Sequence, residues 1–468
     1  MIEKLWQVPC TEVSHPYLQA GFRCEFAKNG YVEDEYFFSG TANVYAEEPE
    51  GTAKIIYERA PYCTRFLLRR PEDTRQFSGN VVLEVLNATA NMDIDRIWVN
   101  SWKYFTRNGD IYVGITSKSS VLGTLMAADA GRYAPLCWDN PLPQREKPKQ
   151  MNMFGFDERY EWGLFWDMLT DLASALRSSD GILQPYGTSR VYLTGWSQSA
   201  GYLSRMVHTF PDKAYALFDG FMAAGGGGWM QPLNAYEPMN TPKMFAGGKA
   251  PTVSMHAAKP YIALNTQSEM NWVNFAGDSH CPGALFRVYE IAGGSHDTKY
   301  SLIDYYQEDI DTIRIGRMPK FEGTDGEPSD YPYEPLFNAA WRNLFVWVRD
   351  DVPAPCAPRL ERDADAKPVN DLLGHAMGGL RTAALRYPTV RYFTYSTLPN
   401  GVKNPLWGHI EPIAPSTLEE LYGTLDQYRQ LVAADCARRV ASGFMLTEDV
   451  DDLVNRLVSL ADKRGLHP

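Results

Sequence analysis

Ser189-Arg190-Val191-Tyr192-Leu193-Thr194-Gly195-Trp196-Ser197-Gln198-Ser199-Ala200-Gly201-Tyr202-Leu203 is the stretch from which the rest of the chain is read. Val191 to Thr194 is β-branched and aromatic, a strand signal, whereas Tyr202, Leu203, Met206 and Val207 recur on one side of a helix. Between them the pattern Gly195-x-Ser197-x-Ser199 fits a turn so tight that the residues two before and two after the central serine must be small. Such a turn lifts Ser197 to the carboxyl end of the sheet, with the positive end of the following helix beneath it. Glycine followed two residues later by serine is common by chance, and the fifth position here is serine where glycine is usual, so the context has to carry the reading.

Outward from this stretch, short apolar runs alternate with helical patterns, the signature of a mainly parallel sheet with helices on its faces. Val81-Val82-Leu83-Glu84-Val85-Leu86 and Ile111-Tyr112-Val113-Gly114-Ile115 read as buried strands joined by a crossover helix over Ile94 to Arg107. Leu164, Phe165, Met168, Leu169, Leu172 and Leu176 recur at three and four, which predicts a helix from Glu161 to Leu176 with one face on the sheet. Pro260 to Leu264 and Leu285 to Ala292 are two more strands. Segments 131–156 and 225–250 lack periodicity and read as lids or binding loops within insertions near 127–160 and 225–256. Their Trp138, Trp229, Tyr236, Met230, Met239 and Met244 fit an acyl or aromatic pocket and a small core beneath a lid equally well. Gly225 to Gly228 has no following Lys-Ser/Thr, so it makes no phosphate loop and reads as a flexible lid hinge.

After Pro335 the period turns helical through Phe337, Trp341, Leu344, Phe345 and Val348, and Pro353, Pro355 and Pro358 mark its stop. Ser416-Thr417-Leu418-Glu419 has the form of a capping box, and a last helix follows Thr447. Two divisions are expected: 1–335, a core with N-terminal strands, and 336–468, an extension packed on it.

A hydroxyl near neutral pH is a weak nucleophile and needs a general base held by a third group. Where a strand, a tight turn and a helix present such a serine, the carboxylate and the histidine follow it in that order along the chain. Asn265-Thr266-Gln267-Ser268-Glu269 opens past the Pro260–Leu264 strand, and Gly293-Gly294-Ser295-His296 follows the next one. Glu269 and His296 are therefore the candidate acid and base, with Asp278 the competing carboxylate. Asp297 adjoins His296 and is badly placed to fold back onto its ring. Backbone N–H donors for an oxyanion are expected from Gln198 and from Ala88, in the turn Asn87-Ala88-Thr89 after the Val81–Leu86 strand; Asn87 reads equally well as a simple turn former.

The chain has 468 residues, with 45 Lys and Arg against 57 Asp and Glu, for a formal charge of −12. That balance, with no basic run, removes the electrostatic term on which nucleic-acid binding depends and disfavours an anionic membrane surface. No segment reaches the roughly 18 apolar residues of a membrane span, and the N-terminal stretch lacks the apolar run of a signal peptide. Seven cysteines without a C-x-x-C pair suggest a reduced, cytoplasmic protein. His280 with Cys281 finds no second ligand at metal spacing, and neither a metal nor another cofactor is expected.

Taken together, Val85-Leu86-Asn87, Gly195-Trp196-Ser197-Gln198-Ser199, Asn265 to Glu269, Tyr289 to His296, Trp347-Val348-Arg349-Asp350, Gly374-His375-Ala376-Met377-Gly378-Gly379-Leu380-Arg381, Leu421-Tyr422-Gly423 and Gly443 to Asp449 resemble the family named simply for its α/β-hydrolase domain. The likeness runs from about Val81 to the end. It implies an α/β-hydrolase fold with lid insertions and a C-terminal helical extension, and a serine hydrolase with Ser197 as nucleophile, Glu269 as acid and His296 as base. The acid in similar proteins is more often aspartate. The expectation is a carboxylic-ester hydrolase acting on a bulky or aromatic small-molecule ester without a cofactor. An acyltransferase with the same triad, and a binding module on the same fold, stay open as alternatives.

Overall fold

A strand that is apolar on both faces has no side to give to solvent, so it must lie inside a sheet covered above and below. Val81–Leu86, apolar but for Glu84, and Ile111–Ile115 are such runs, and in the computed structural model of the protein they form fully buried strands, Asn80–Val85 and Ile111–Ile115. The structure describes residues 1–467 except 22, 144–156, 188, 238–251 and 366. The inner parts of both expected lid insertions, with Met239 and Met244, therefore lie outside the described residues. The chain divides into two compact units: Met1–Pro242 with Ala257–Tyr261 and Glu308–Met318, and Lys243–His256 with Ile262–Gln307 and Pro319–Pro468. The second unit holds residues from both sides of position 335.

In the first unit seven strands, β1 (Ile2–Val8), β2 (Tyr31–Glu47), β3 (Ala53–Pro71), β4 (Asn80–Val85), β5 (Ile111–Ile115), β6 (Arg190–Trp196) and β7 (Gly220–Ala224), lie side by side in the order β1-β2-β3-β5-β4-β6-β7. The pairs β4–β5, β4–β6 and β6–β7 are parallel. The long β2 and β3 are antiparallel to each other, and β3 joins the parallel part by an antiparallel pairing to β5. Helices α1 (Arg96–Asn108), α2 (Phe165–Arg177) and α3 (Ala200–Thr209) follow β4, precede β6 and follow β6. The six apolar positions read as the sheet-facing side of the Glu161–Leu176 helix are all buried.

Helix α1 opens over a carboxyl group. Glu84, fully buried in β4, accepts the N–H of Ile97 at 2.9 Å and of Trp98 at 3.1 Å and the hydroxyl of Tyr112 at 2.7 Å, so two N-terminal donors without an intrahelical partner are satisfied. Burial pushes this carboxyl up to about 8, against the downward pull of those hydrogen bonds.

Two arginines of β3 carry charge into the same interior. Arg65 donates to Glu35 of β2 at 2.5 Å and to Asp93 at 2.8 Å, and Arg69 donates to Glu33 at 2.5 Å and to Asp95 at 2.6 Å. Arg132 reaches the other oxygen of Glu35 at 2.5 Å. Asp93 and Asp95 belong to the loop between β4 and α1, so β3 holds that loop by two fully buried ion pairs.

In the second unit β8 (Tyr261–Thr266, from Ile262 on) neighbours β10 (Ala284–Ile291), which pairs antiparallel with β9 (Ser279–Cys281). The helix expected after Pro335 is α4 (Glu334–Asp350), and the tail folds into α5 (Pro415–Tyr422), α6 (Leu425–Ala441) and α7 (Val450–Lys463). Phe444 meets Tyr289 of β10 edge-on at 5.4 Å, and the Arg287 guanidinium lies 4.9 Å from the Trp347 ring. Tail and strand are thus packed together within this unit. One local reading is corrected. Ser416 does not cap α5, which begins at Pro415 after Ala414; proline at the first helical position needs no N–H acceptor and moves the start. The capping box is at Thr424, whose hydroxyl accepts the Gln427 N–H while Gln427 Oε1 accepts the Thr424 N–H at 2.9 Å.

Removing Arg65 leaves Asp93 buried without its cation and Glu35 with Arg132 alone, a change that typically costs roughly 3–5 kcal/mol. Arg65→Met is expected to lower the urea midpoint by a corresponding amount, with the exposed Arg159→Ala leaving it unchanged. A midpoint for Arg65→Met equal to the parent's contradicts the role given to this network.

Candidate active site

Strand β6 ends at Trp196, and the chain turns into α3 through the single 3₁₀ turn Ser197–Ser199. Ser197 itself adopts φ of 58°, a left-handed conformation that non-glycine residues take rarely and at a cost of order 1–3 kcal/mol. Its neighbours show how the turn is held. A Cβ on Gly195 would stand 2.7 Å from the Ser199 carbonyl oxygen, so only glycine fits there. Ser199 occupies the other small position, and its hydroxyl donates to the Leu86 carbonyl at 3.1 Å. Ser197 is half-buried; Gln198 and Ser199 are buried.

Gly225 to Gly227 are also buried, and they correct the reading of this run as a flexible hinge. A Cβ on Gly225 would lie 2.8 Å from the Trp196 ring, and one on Gly226 would lie 2.8 Å from the Ser197 carbonyl oxygen. The glycines let the segment after β7 pass directly against the turn. Trp138 is part of the core, stacked on Phe165 with centroids 6.4 Å apart, and Trp229 is buried as well.

The loop after β4 lies beside the same turn. Asn87 Nδ2 donates to the Trp196 carbonyl at 2.9 Å, Asn87 Oδ1 accepts the Thr89 N–H at 2.9 Å, and the Thr89 hydroxyl accepts Gln198 Nε2 at 2.7 Å. Asn87 therefore joins two loops as well as forming a turn. Ala88, between these anchors, is buried. Sequence reasoning missed two further members of the cluster. Lys118 Nζ donates to Gln198 Oε1 at 2.7 Å and stands 4.7 Å from the Trp162 ring centre, and Gln231 Nε2 donates to the Gln198 carbonyl at 2.6 Å. Burial alone pushes the Lys118 ammonium down to about 7. The one signal for Lys118 in the sequence is a lone cation just after a strand that is buried throughout.

In the second unit the turn after β8 carries Glu269, fully buried, and the loop after β10 carries His296, 3% exposed. His296 Nδ1 lies 2.6 Å from Glu269 Oε1. The second carboxylate oxygen accepts the Thr266 N–H. A carboxylate fixed at one oxygen by its own turn and facing a ring nitrogen with the other holds the imidazole in one tautomer, proton on Nδ1, leaving Nε2 as the basic nitrogen. The histidine loop is itself tied: the His296 N–H donates to Ser268 Oγ at 3.0 Å, the Tyr333 hydroxyl donates to the His296 carbonyl at 3.3 Å, and the Trp272 ring stands edge-on 5.9 Å away. Asp278 is occupied elsewhere, accepting the Val288 N–H at 2.8 Å. Glu269 and His296 are thus brought together, while Ser197, Gln198 and Ala88 share the first unit. His280 and Cys281 are exposed, and among the described residues no His, Cys, Asp and Glu cluster suited to a metal ion is found.

Residues 6–455 match the family described as "Alpha/beta hydrolase domain". No curated protein matches the chain. Among solved structures it is similar to the esterase Est22, at 13% identity over 43% of this chain and 47% of that one with a TM-score of 0.22. It is also similar to the siderophore hydrolase EstA from Aspergillus nidulans, at 14% identity over 56% and 75% with a TM-score of 0.27. A third is the rice cell wall degrading esterase LipA from Xanthomonas oryzae, at 11% identity over 48% and 49% with a TM-score of 0.25. The chain spans about half the length of Est22.

A methyl group at position 226 has to displace the Ser197 carbonyl. Gly226→Ala is expected to destabilise by about 1–3 kcal/mol, as overpacking does, whereas Gly123→Ala, in a helix with nothing within 4 Å, is expected to be neutral or stabilising. Thermal melts of the two variants check this; equal melting of Gly226→Ala and parent contradicts the close approach.

Proposed function

We propose, from the premise that this chain belongs to the alpha/beta hydrolase domain family, that it cleaves carboxylic esters with Ser197 as nucleophile, His296 as general base and Glu269 as the residue orienting it. The observation that carries the reading is the left-handed backbone of Ser197, held between a buried strand and a helix by residues with no room to relax. Strain of this kind at a half-buried serine between a strand and a helix has a use in aiming a nucleophile. The buried Glu269–His296 pair supports it, since a base that must accept a proton at one ring nitrogen needs the other fixed.

In the proposed reaction Ser197 Oγ adds to the ester carbonyl as His296 Nε2 takes its proton. The N–H groups of Gln198 and Ala88 stabilise the oxyanion, the imidazolium returns the proton to the departing alcohol, and water activated by His296 releases the acid. No step calls for a cofactor. The substrate class we propose is a bulky or aromatic small-molecule ester, on the remaining aromatic content of segments 131–156 and 225–250 once the buried Tyr133, Trp138 and Trp229 are set aside. The seven cysteines, all free thiols, fit a reduced cytoplasmic setting.

A fluorophosphonate probe is expected to label the purified protein at Ser197 by peptide mapping, with labelling lost in Ser197→Ala and His296→Ala. Glu269→Gln is expected to lower kcat by about 10⁴-fold, the scale seen when a triad acid is neutralised, with Asp278→Asn near parental. Labelling at another residue, or Asp278→Asn as the damaging change, overturns the assignment. Faster turnover of p-nitrophenyl acetate than of p-nitrophenyl benzoate removes the proposed substrate class alone.

A further inference from the structure

The residues on either side of Ser197 are each tied to a residue on either side of Ala88. Trp196 is held through its carbonyl by Asn87, and Gln198 is held through its side chain by Thr89. Asn87 and Thr89 are themselves joined, Thr89 N–H to Asn87 Oδ1, so the two three-residue segments are linked in a closed ring of hydrogen bonds, with Ser197 and Ala88 each lying between two of its members. The Gln198 carboxamide has a fixed orientation in this ring because its oxygen accepts from Lys118 Nζ, which leaves only its nitrogen to meet the Thr89 hydroxyl. Its backbone is fixed as well, by the Gln231 side chain on the Gln198 carbonyl.

Resting on the serine-hydrolase reading, we propose that the Gln198 carboxamide, seated on Lys118, is a positioning residue that pins Thr89 and thereby holds the Ala88 and Gln198 N–H groups at a fixed spacing around the oxyanion formed at Ser197. Three features support it. Gln198 and Lys118 are both buried, where a polar contact is retained only if it is satisfied. A lysine placed where desolvation brings its ammonium down to about 7 is costly to keep for packing alone. Lastly, oxyanion stabilisation depends on donors that do not have to reorganise during the reaction, and a ring closed through both loops supplies that rigidity.

The test is a double-mutant cycle on ester hydrolysis with the near-isosteric variants Thr89→Val and Gln198→Met, Thr89→Ser as the conservative control, and melting and Ser197 labelling measured for each. Removal of an oxyanion donor typically costs about 10²–10³ in kcat, and loosening one is expected to cost about 10–100-fold. KM should change less than about threefold. The double variant should be no slower than the slower single, Thr89→Ser should regain most of the parental rate, and Ser197 should still be labelled to full stoichiometry. Multiplicative losses in the double variant, losses confined to KM, or single variants at parental rate each overturn the proposal. Should one variant fail to fold, the kcat and KM of the other decide it. Absence of Ser197 labelling in the parent is a different result: it removes the hydrolase reading itself.

Discussion

Buried charge, and the need to neutralise it, organises the first unit. Arg65 and Arg69 point from β3 into the buried interior, and four carboxylates converge on the pair. Two, Glu33 and Glu35, come from the neighbouring strand β2; two, Asp93 and Asp95, come from the loop after β4. Such pairs contribute modestly to stability when compared with apolar packing of the same volume, but losing one partner is severe, and that asymmetry fixes geometry more than it adds stability. The geometry fixed here is that of the 87–95 segment. Its start is clasped by the Asn87–Ile94 bridge and its end feeds helix α1 over the Glu84 carboxyl. The same segment carries Ala88 between two residues bonded to the turn at Ser197, so the charged interior helps to set the position of a backbone amide proposed to work in the reaction.

What was legible in the sequence follows from which residues carry their own environment with them. Strands β4, β5, β6, β8 and β10 are short, mostly apolar runs, with Glu84, Arg190, Arg287 and Glu290 their charged members, and such runs can be recognised without knowing their neighbours. Gly195 and Ser199 are legible for a similar reason, since the tightness of their turn is a property of five consecutive residues. The lengths of β2 and β3 were not. They run through Glu33, Asp34, Glu35, Arg65 and Arg69, residues that look solvated until a partner 26 to 36 positions away is folded against them. Gly225 and Gly226 look mobile as part of a string of glycines and prove to be crowded, because what crowds them is a turn contributed by residues almost thirty positions earlier. Lys118 is a third case. Nothing in its local sequence announces that the only charge in its stretch is turned inward onto a glutamine.

The second unit shows the same division between local and distant determinants. Glu269 is legible from the turn after its strand, and the turn explains its orientation: the side chain folds back on its own Thr266 N–H, as an acid at the third position of a helical turn does. His296 needs more. Its main chain is held by Ser268 and Tyr333, and Ser268 in turn donates to the Thr394 carbonyl, so the C-terminal residues of this unit help to build the loop that presents the imidazole. A tail that packs on β10 through Phe444 and braces this loop is part of the structure that orients the ring, whatever else it does.

These constraints meet in an argument about strain. A serine in a left-handed conformation relaxes unless the surrounding structure over-determines it. Apolar packing is poorly suited to that task, because close-packed side chains resist compression but tolerate small rotations of a backbone they merely touch. Hydrogen bonds to the flanking peptide groups resist rotation directly. Around Ser197 they are placed on the Trp196 carbonyl, on the Gln198 carbonyl and on the Gln198 side chain, with glycines at 195, 225 and 226 excluding the space into which the turn would otherwise open. Polar clamps therefore set the angle, and the absence of Cβ atoms allows the approach. On this view the buried lysine, the two glutamines and the run of glycines share one function, to keep a single backbone torsion where an unconstrained chain would not leave it.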